Sequence, residues 1–320
     1  MTTRTDPNFP TGSTGLIAVD KAGNQILFLD PHTYATLEVL QGFAPRVHEL
    51  AISPDHATAY APIYGDGRHG DNPHPGHQVA EIDLARRRHS GDIDVAPYVA
   101  PHGLRWGADD VLYCVCEDSG VVLALDPRTG EQRAVIDVGS TNAHRIEVLP
   151  DGSKLYTENE EDATVTVADL AQRRSIAEIP APRGLAGLAV SPDGATIVLV
   201  DGDVPALHVL DTATDALRGT VALEGHREAA QIARFSPDGR WLVVTSLDGD
   251  LATVLTGDDL AEQRDIAVGH DPMDMAFAPD GRTVVVGNQG DGSLSVLDLE
   301  RGVVDRTVEA GVGVESLAFY

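Results

Sequence analysis

The chain has 320 residues, with 23 Lys and Arg against 50 Asp and Glu, a formal net charge of −27; 42% of residues are apolar and 5% aromatic. Such acidity repels phosphate backbones and anionic lipid surfaces, which excludes nucleic acid and membrane as partners, and the apolar content is enough for a folded core. No run approaches 18 apolar residues, so no transmembrane helix is expected.

Residues 1–14 are read as a tail; the opening MTTRTDPNFPTGSTG lacks the apolar stretch of a secretory leader. Three short apolar runs follow within 15–40, LIAVD, QILFLD and TLEVL, which read as strands. Then a phrase begins to recur: AISPDH at 51–56, a weaker RWGADD at 105–110, EVLPDG at 147–152, AVSPDG at 189–194, RFSPDG at 234–239 and AFAPDG at 276–281. The terminal SLAFY is the same phrase cut before its turn, making seven copies. Each copy runs an apolar strand into a Pro-Asp-Gly turn, where fixed proline φ and permissive glycine reverse the chain. A β-rich second strand follows, such as KLYTEN or WLVVTS, then a third ending in Leu-Asp, such as VVLALD, then a fourth such as RGTVAL.

Anchored on the turn aspartate, the copies are spaced 54, 42, 42, 45, 42 and 42 residues apart, the last extrapolated past the C terminus. Four-stranded units of this period predict an all-β fold, a single seven-bladed β-propeller of antiparallel blades over residues 15–320. The strands of 15–40 lack their innermost partner, and the C-terminal VESLAF supplies it, so the two chain ends interlock and cover the edges of an open ring.

The SPDG repeat with its V-x-V-[LI]-D third strand resembles the YVTN family of bacterial β-propellers. That family is similar to phosphogluconolactonase-type lactonases and to haem-d1-type propeller domains. The resemblance implies the fold and leaves function open, since such propellers serve as enzymes, redox partners and scaffolds. No Cys-x-x-Cys-His haem motif, Gly-x-Ser-x-Gly elbow, phosphate loop or dinucleotide fingerprint is present in the sequence.

The repeat also aligns the residues that line the channel. Seven positions before the turn aspartate stand His48, His102, His144, Ala186, Gln231, Met273 and Glu315, and closure makes Glu315 the neighbour of His48. With 12 histidines in the chain, three in one column of seven has a chance of roughly 0.01 after allowing for the columns inspected, against an ordinary scatter of histidines. Strict alternation puts these histidines on the same side of the strand as the packing columns Leu50, Leu104, Ile146 and Ile52, Trp106, Val148, one step nearer the mouth. Three imidazoles and a carboxylate predict a site for one divalent transition metal, Fe, Zn, Mn or Cu, with open positions for substrate. In ligand type the set is similar to the three-His/one-Glu sites of cupins and the four-His iron site of carotenoid-cleaving propellers.

The long first interval reflects an insertion, GDGRHGDNPHPGH at 65–77, expected to hang as a lid over the same face with His69, His74 and His77. Arg183, His226 and His270 lie in loops on that face. Arg145, beside His144, is a candidate for holding a substrate carboxylate, and Glu158 for orienting His144 or acting as general base. Cys114 and Cys116 are two apart on one strand, a poor geometry for a disulfide, which fits a reducing cytoplasm.

These features predict a metal-dependent enzyme on a small organic substrate, of hydrolase, lyase or isomerase chemistry. An iron- or copper-dependent oxygenase at the same site and a non-catalytic interaction scaffold are the alternatives. The protein is expected to be a monomer or a weak homo-oligomer.

Overall fold

The computed structural model describes residues 14–246, 249–257 and 259–320. All of the expected tail except Thr14 lies outside the described residues. The described chain forms seven four-stranded antiparallel sheets, six with their strands in sequential order and one that places the C-terminal strand beside the first, and its only helical pieces are two single-turn 3₁₀ segments. The seven sheets are the predicted blades. None of the helical segments is long and apolar enough to cross a membrane.

Closure follows the expected scheme. The C-terminal strand Val314–Phe319 pairs antiparallel with Leu16–Asp20, Leu16 opposite Phe319, and so completes the first blade. The backbone of Gly15 continues this clasp through reciprocal hydrogen bonds with Tyr320.

The core is not one globule but a set of apolar layers between adjacent blades. Leu104, Trp106, Cys114, Cys116 and Leu123 pack on Ala51, Tyr60 and Val79 of the preceding blade, and Ile146, Val148 and Leu155 pack on Tyr113 and Val115. Middle strands are buried throughout, as in Leu112–Cys116 and Val121–Leu125, whereas outer strands such as Thr36–Leu40 are exposed. Cys114 and Cys116 are free thiols within such a layer.

The innermost strands depart from strict alternation. Pro101 pairs with Cys116 and Leu104 with Cys114, so His102 and Gly103 face a single partner residue. Ala143 pairs with Asn159 and Ile146 with Thr157, which sets His144 and Arg145 together opposite Glu158. The same extra residue occurs at Ala186 and at Met273–Asp274. A β-bulge re-aims the side chains at the inserted residue. It therefore turns His102 and His144 off the packing face, where alternation would put them, and into the channel. Leu104 and Ile146 remain in the layers between blades.

Candidate metal centre at the channel mouth

The bulges bring the histidine column together. His48 and His102 meet edge to face with ring centroids 4.2 Å apart, and His102 and His144 are also 4.2 Å apart. Glu315 closes the row, its Oε2 3.4 Å from His48 Nδ1. All four side chains are buried. Burial, then the charge of neighbouring groups, pushes the His102 and His144 imidazoles well below their ordinary values, so both are neutral and offer a lone pair.

The row is nonetheless divided. Lys21, from the turn after Leu16–Asp20, donates to Glu315 Oε1 at 3.0 Å and stands 3.4 Å from His48 Nε2. Burial raises the Glu315 carboxyl, but the charges of His48 and Lys21 and their hydrogen bonds outweigh it and bring it down to about 2. Glu315 and His48 thus already face a cation.

The other half of the row has a different carboxylate. His102, Glu117 and His144 each offer one ligand atom, and the three atoms lie within 4.8 Å of one another. Glu117 follows the strand Leu112–Cys116 and is 1% exposed. Its Oε1 accepts hydrogen bonds from Tyr64 Oη and His69 Nδ1, both at 2.7 Å, while its Oε2 has no partner. Sequence reasoning passed over Glu117. The signal was present, because eight residues after the turn aspartate four other blades carry small polar residues, Asn159, Asp201, Ser246 and Asn288, and the blade of Asp55 carries Ile63, whereas this blade carries Glu. Asn159 and Asn288 use that place to bind hydroxyls of the third strand, Asn159 to Thr166 and Asn288 to Ser295.

Behind the imidazoles stand further carboxylates. Glu158, fully buried, lies 3.2 Å from His144 Nδ1 through Oε1, which also accepts the Arg145 backbone N–H at 3.1 Å. Its Oε2 has no partner, and burial, then the Glu160 charge, pushes its carboxyl well up. Glu49 Oε1 lies 3.6 Å from His102 Nδ1. An imidazole whose Nδ1 faces a carboxylate presents its Nε2 lone pair on the opposite side, the usual outer shell of a metal-bound histidine. These orphaned carboxylate oxygens beside neutral imidazoles are the chemistry a divalent cation satisfies.

The insertion reaches the site through one of its three histidines. His69 lies 5.6 Å from His144, ring to ring, and bridges Glu117 and Glu160, with Nε2 3.0 Å from Glu160 Oε2. The Glu117 hydrogen bond, working against burial, raises its imidazole above the ordinary value. His74 pairs with Asp66 and His77 with Asp94, both at the exposed surface. His270 pairs with Asp250, also exposed, and Arg183 is exposed. His226 is buried and hydrogen-bonded to Thr253 Oγ1 at 2.8 Å.

Below the histidines the channel is filled by charge. Arg145 is buried, bonds Glu49 Oε1 through Nε at 3.0 Å and donates to the Ala186 carbonyl. Gly103 and Gly187 leave it room, since a Cβ on Gly103 would stand 3.3 Å from the Arg145 Cα and one on Gly187 3.7 Å from its guanidinium. One layer further, Arg105 bonds Glu147 at 2.8 Å, and Arg234 bonds Asp274 at 3.0 Å and Glu147 at 3.3 Å. Three arginines thus balance three acids. The open cavity of about 130 Å³ lies beyond this layer, toward the Pro-Asp-Gly end, lined by Phe235, Phe277, Phe319 and Pro192, and touches none of the histidines.

Known proteins resemble this chain chiefly in architecture. Residues 218–252 match the family described as WD domain, G-beta repeat. No curated protein matches the sequence. Hydrazine synthase of Kuenenia stuttgartiensis superposes with a TM-score of 0.73 at 18% identity, over 87% of this chain and 91% of that one. A functionally unknown protein from Desulfotomaculum acetoxidans DSM 771 superposes with a TM-score of 0.77 at 13% identity, over 94% and 98%. At such identities the likeness shows the propeller fold alone.

Proposed function

We propose that this protein is a metal-dependent enzyme acting on a small organic molecule at the channel mouth, with His102, Glu117 and His144 as metal ligands. The observation that carries the reading is the buried triad itself, three ligand atoms within 4.8 Å of one another, with one oxygen of the Glu117 carboxylate unpartnered. The charge balance supports it. Glu117, Glu158 and Glu160 crowd the triad, and the nearest guanidinium, Arg145, is already committed to Glu49. His69 bridges Glu117 and Glu160, but one imidazole offsets at most one of the three carboxylates, and a divalent ion is the compact remedy for the rest.

A bound divalent ion supplies Lewis acidity, which polarises a substrate carbonyl or acidifies water, and so fits hydrolase, lyase or isomerase chemistry. The chain's own groups prepare the place. Glu158 holds the His144 ring from behind, and the Glu49 carboxylate stands 3.6 Å behind His102 Nδ1. His69 and Glu160, each about one-fifth exposed, face the mouth and are the groups a substrate meets. Arg145 positions Glu49 from below and leaves no free fork for a substrate carboxylate. The charged layer beneath closes the channel, so the substrate comes from the mouth. The SPDG repeat, in a chain that folds as a propeller, supports grouping it with YVTN-type bacterial propellers. Its buried free thiols support a reducing, cytoplasmic setting.

Equilibrium dialysis against zinc followed by elemental analysis tests the reading. One metal per chain is expected, with Glu117→Gln and His144→Ala each weakening binding by at least the roughly 10–100-fold that loss of an outer-shell partner already costs. No metal retained by the wild type, or equal retention by both variants, overturns it.

A further inference from the structure

The histidine row contains two more metal-competent groups than the triad uses, and both are held by one lysine. Lys21 Nζ lies 3.0 Å from Glu315 Oε1 and 3.4 Å from His48 Nε2, with its side chain about one-quarter exposed at the mouth. His48 is no further from the triad than the triad's own imidazoles are from each other, since both ring pairs along the row are 4.2 Å apart. The two halves share buried imidazole and carboxylate groups, and Lys21 is the cation held between Glu315 and His48. We infer that Lys21 acts as a built-in cation that withholds His48 and Glu315 from the metal, limiting the protein ligands to His102, Glu117 and His144 and keeping coordination positions open for substrate.

The inference rests on the metal reading above and adds to it a residue that sets coordination number. Its physical basis is competition. An ammonium and a divalent ion both satisfy Glu315, and the lysine is tethered beside it, so its local concentration is always high. A catalytic metal site needs open positions, whereas one closed by further protein ligands becomes structural. Ligand number and charge set affinity. An enzyme site that kept all five groups would bind metal tightly and leave substrate little access.

The test is Lys21→Met, which keeps the aliphatic stem and removes the charge, with Lys21→Gln made alongside. Zinc affinity is measured by competition with a chromophoric chelator, and coordination by the visible spectrum of the cobalt-substituted protein. Freed of Lys21, His48 joins the metal, so zinc binds about tenfold or more tightly than in wild type and the cobalt bands change in position and intensity. The triple variant Lys21→Met/His48→Ala/Glu315→Gln returns to wild-type affinity and spectrum. Tightening that survives the loss of both His48 and Glu315 reports only the removed charge and overturns the inference, as does an unchanged spectrum in both folded Lys21 variants. A wild type that binds no zinc while Lys21→Met binds one equivalent overturns the three-ligand site proposed above but supports the role of Lys21.

Discussion

Arg145→Met isolates the energetics of the charged layer under the candidate metal site. Arg145 Nε donates to Glu49 Oε1 at 3.0 Å, and both side chains are under one-tenth exposed. Removing one partner of a buried ion pair strands the other charge and costs about 3–5 kcal/mol. Unfolding entropy near 2.1 cal/mol/K per residue gives about 0.6 kcal/mol per degree for a ring of about 300 residues, so Tm should fall by about 5–8 °C. The measurement is calorimetry or far-UV circular dichroism on metal-free protein. The companion variant Glu49→Gln/Arg145→Met removes both charges and should recover at least half of the loss, because a neutral pair of similar volume leaves no buried charge unpaired. A single variant that melts within about 2 °C of wild type, or a double variant no better than the single, would show that the layer is hydrated and that the pair contributes little.

Glu158→Gln should keep the fold but weaken zinc binding by about 10–100-fold, since it alters only the partner behind His144; dialysis against buffered zinc measures this. His226→Ala should cost about 1 kcal/mol in denaturant melts by removing its hydrogen bond to Thr253, which stays bonded to Asp265, and leave zinc binding unchanged. Replacing residues 66–73 by a two-residue turn should remove His69 and speed zinc release to a chelator in stopped-flow experiments, while His74→Ala and His77→Ala leave release at the wild-type rate. The hydrogen bond from Arg282, against slight desolvation, holds the Asp298 carboxyl at about 2. Its contribution to stability is complete above the ordinary carboxyl value of about 3.8 and is lost as pH falls through about 2, which a carbon-13 titration of Asp298 reads directly.

The repeat made the fold legible, because Pro-Asp-Gly turns and four short strands recur with a period that only a ring of blades satisfies. The same alignment drew His48, His102 and His144 into one column, and the structure places their rings in a row. What the alignment missed was local geometry. Period-two alternation aims the histidines at the packing layers, and the bulges at His102–Gly103 and His144–Arg145 turn them into the channel. A bulge changes no residue type, so no composition or spacing rule reveals it. Glu117 escaped for a related reason. It follows the second strand, outside the innermost column that the repeat alignment compares. Lys21 lies far from Glu315 in sequence, and only ring closure brings them together. Sequence patterning singled out Arg145 and Glu158, and the structure places Arg145 on Glu49 and Glu158 beside His144 Nδ1.

The most direct test of the account is anomalous diffraction from crystals soaked in zinc, with data on both sides of the zinc absorption edge. The account predicts one buried anomalous peak within bonding distance of His102, Glu117 and His144, with His48 and Glu315 still bound to Lys21. No peak in the channel, or zinc only at the exposed Asp250, His270 and Asp271, would contradict it.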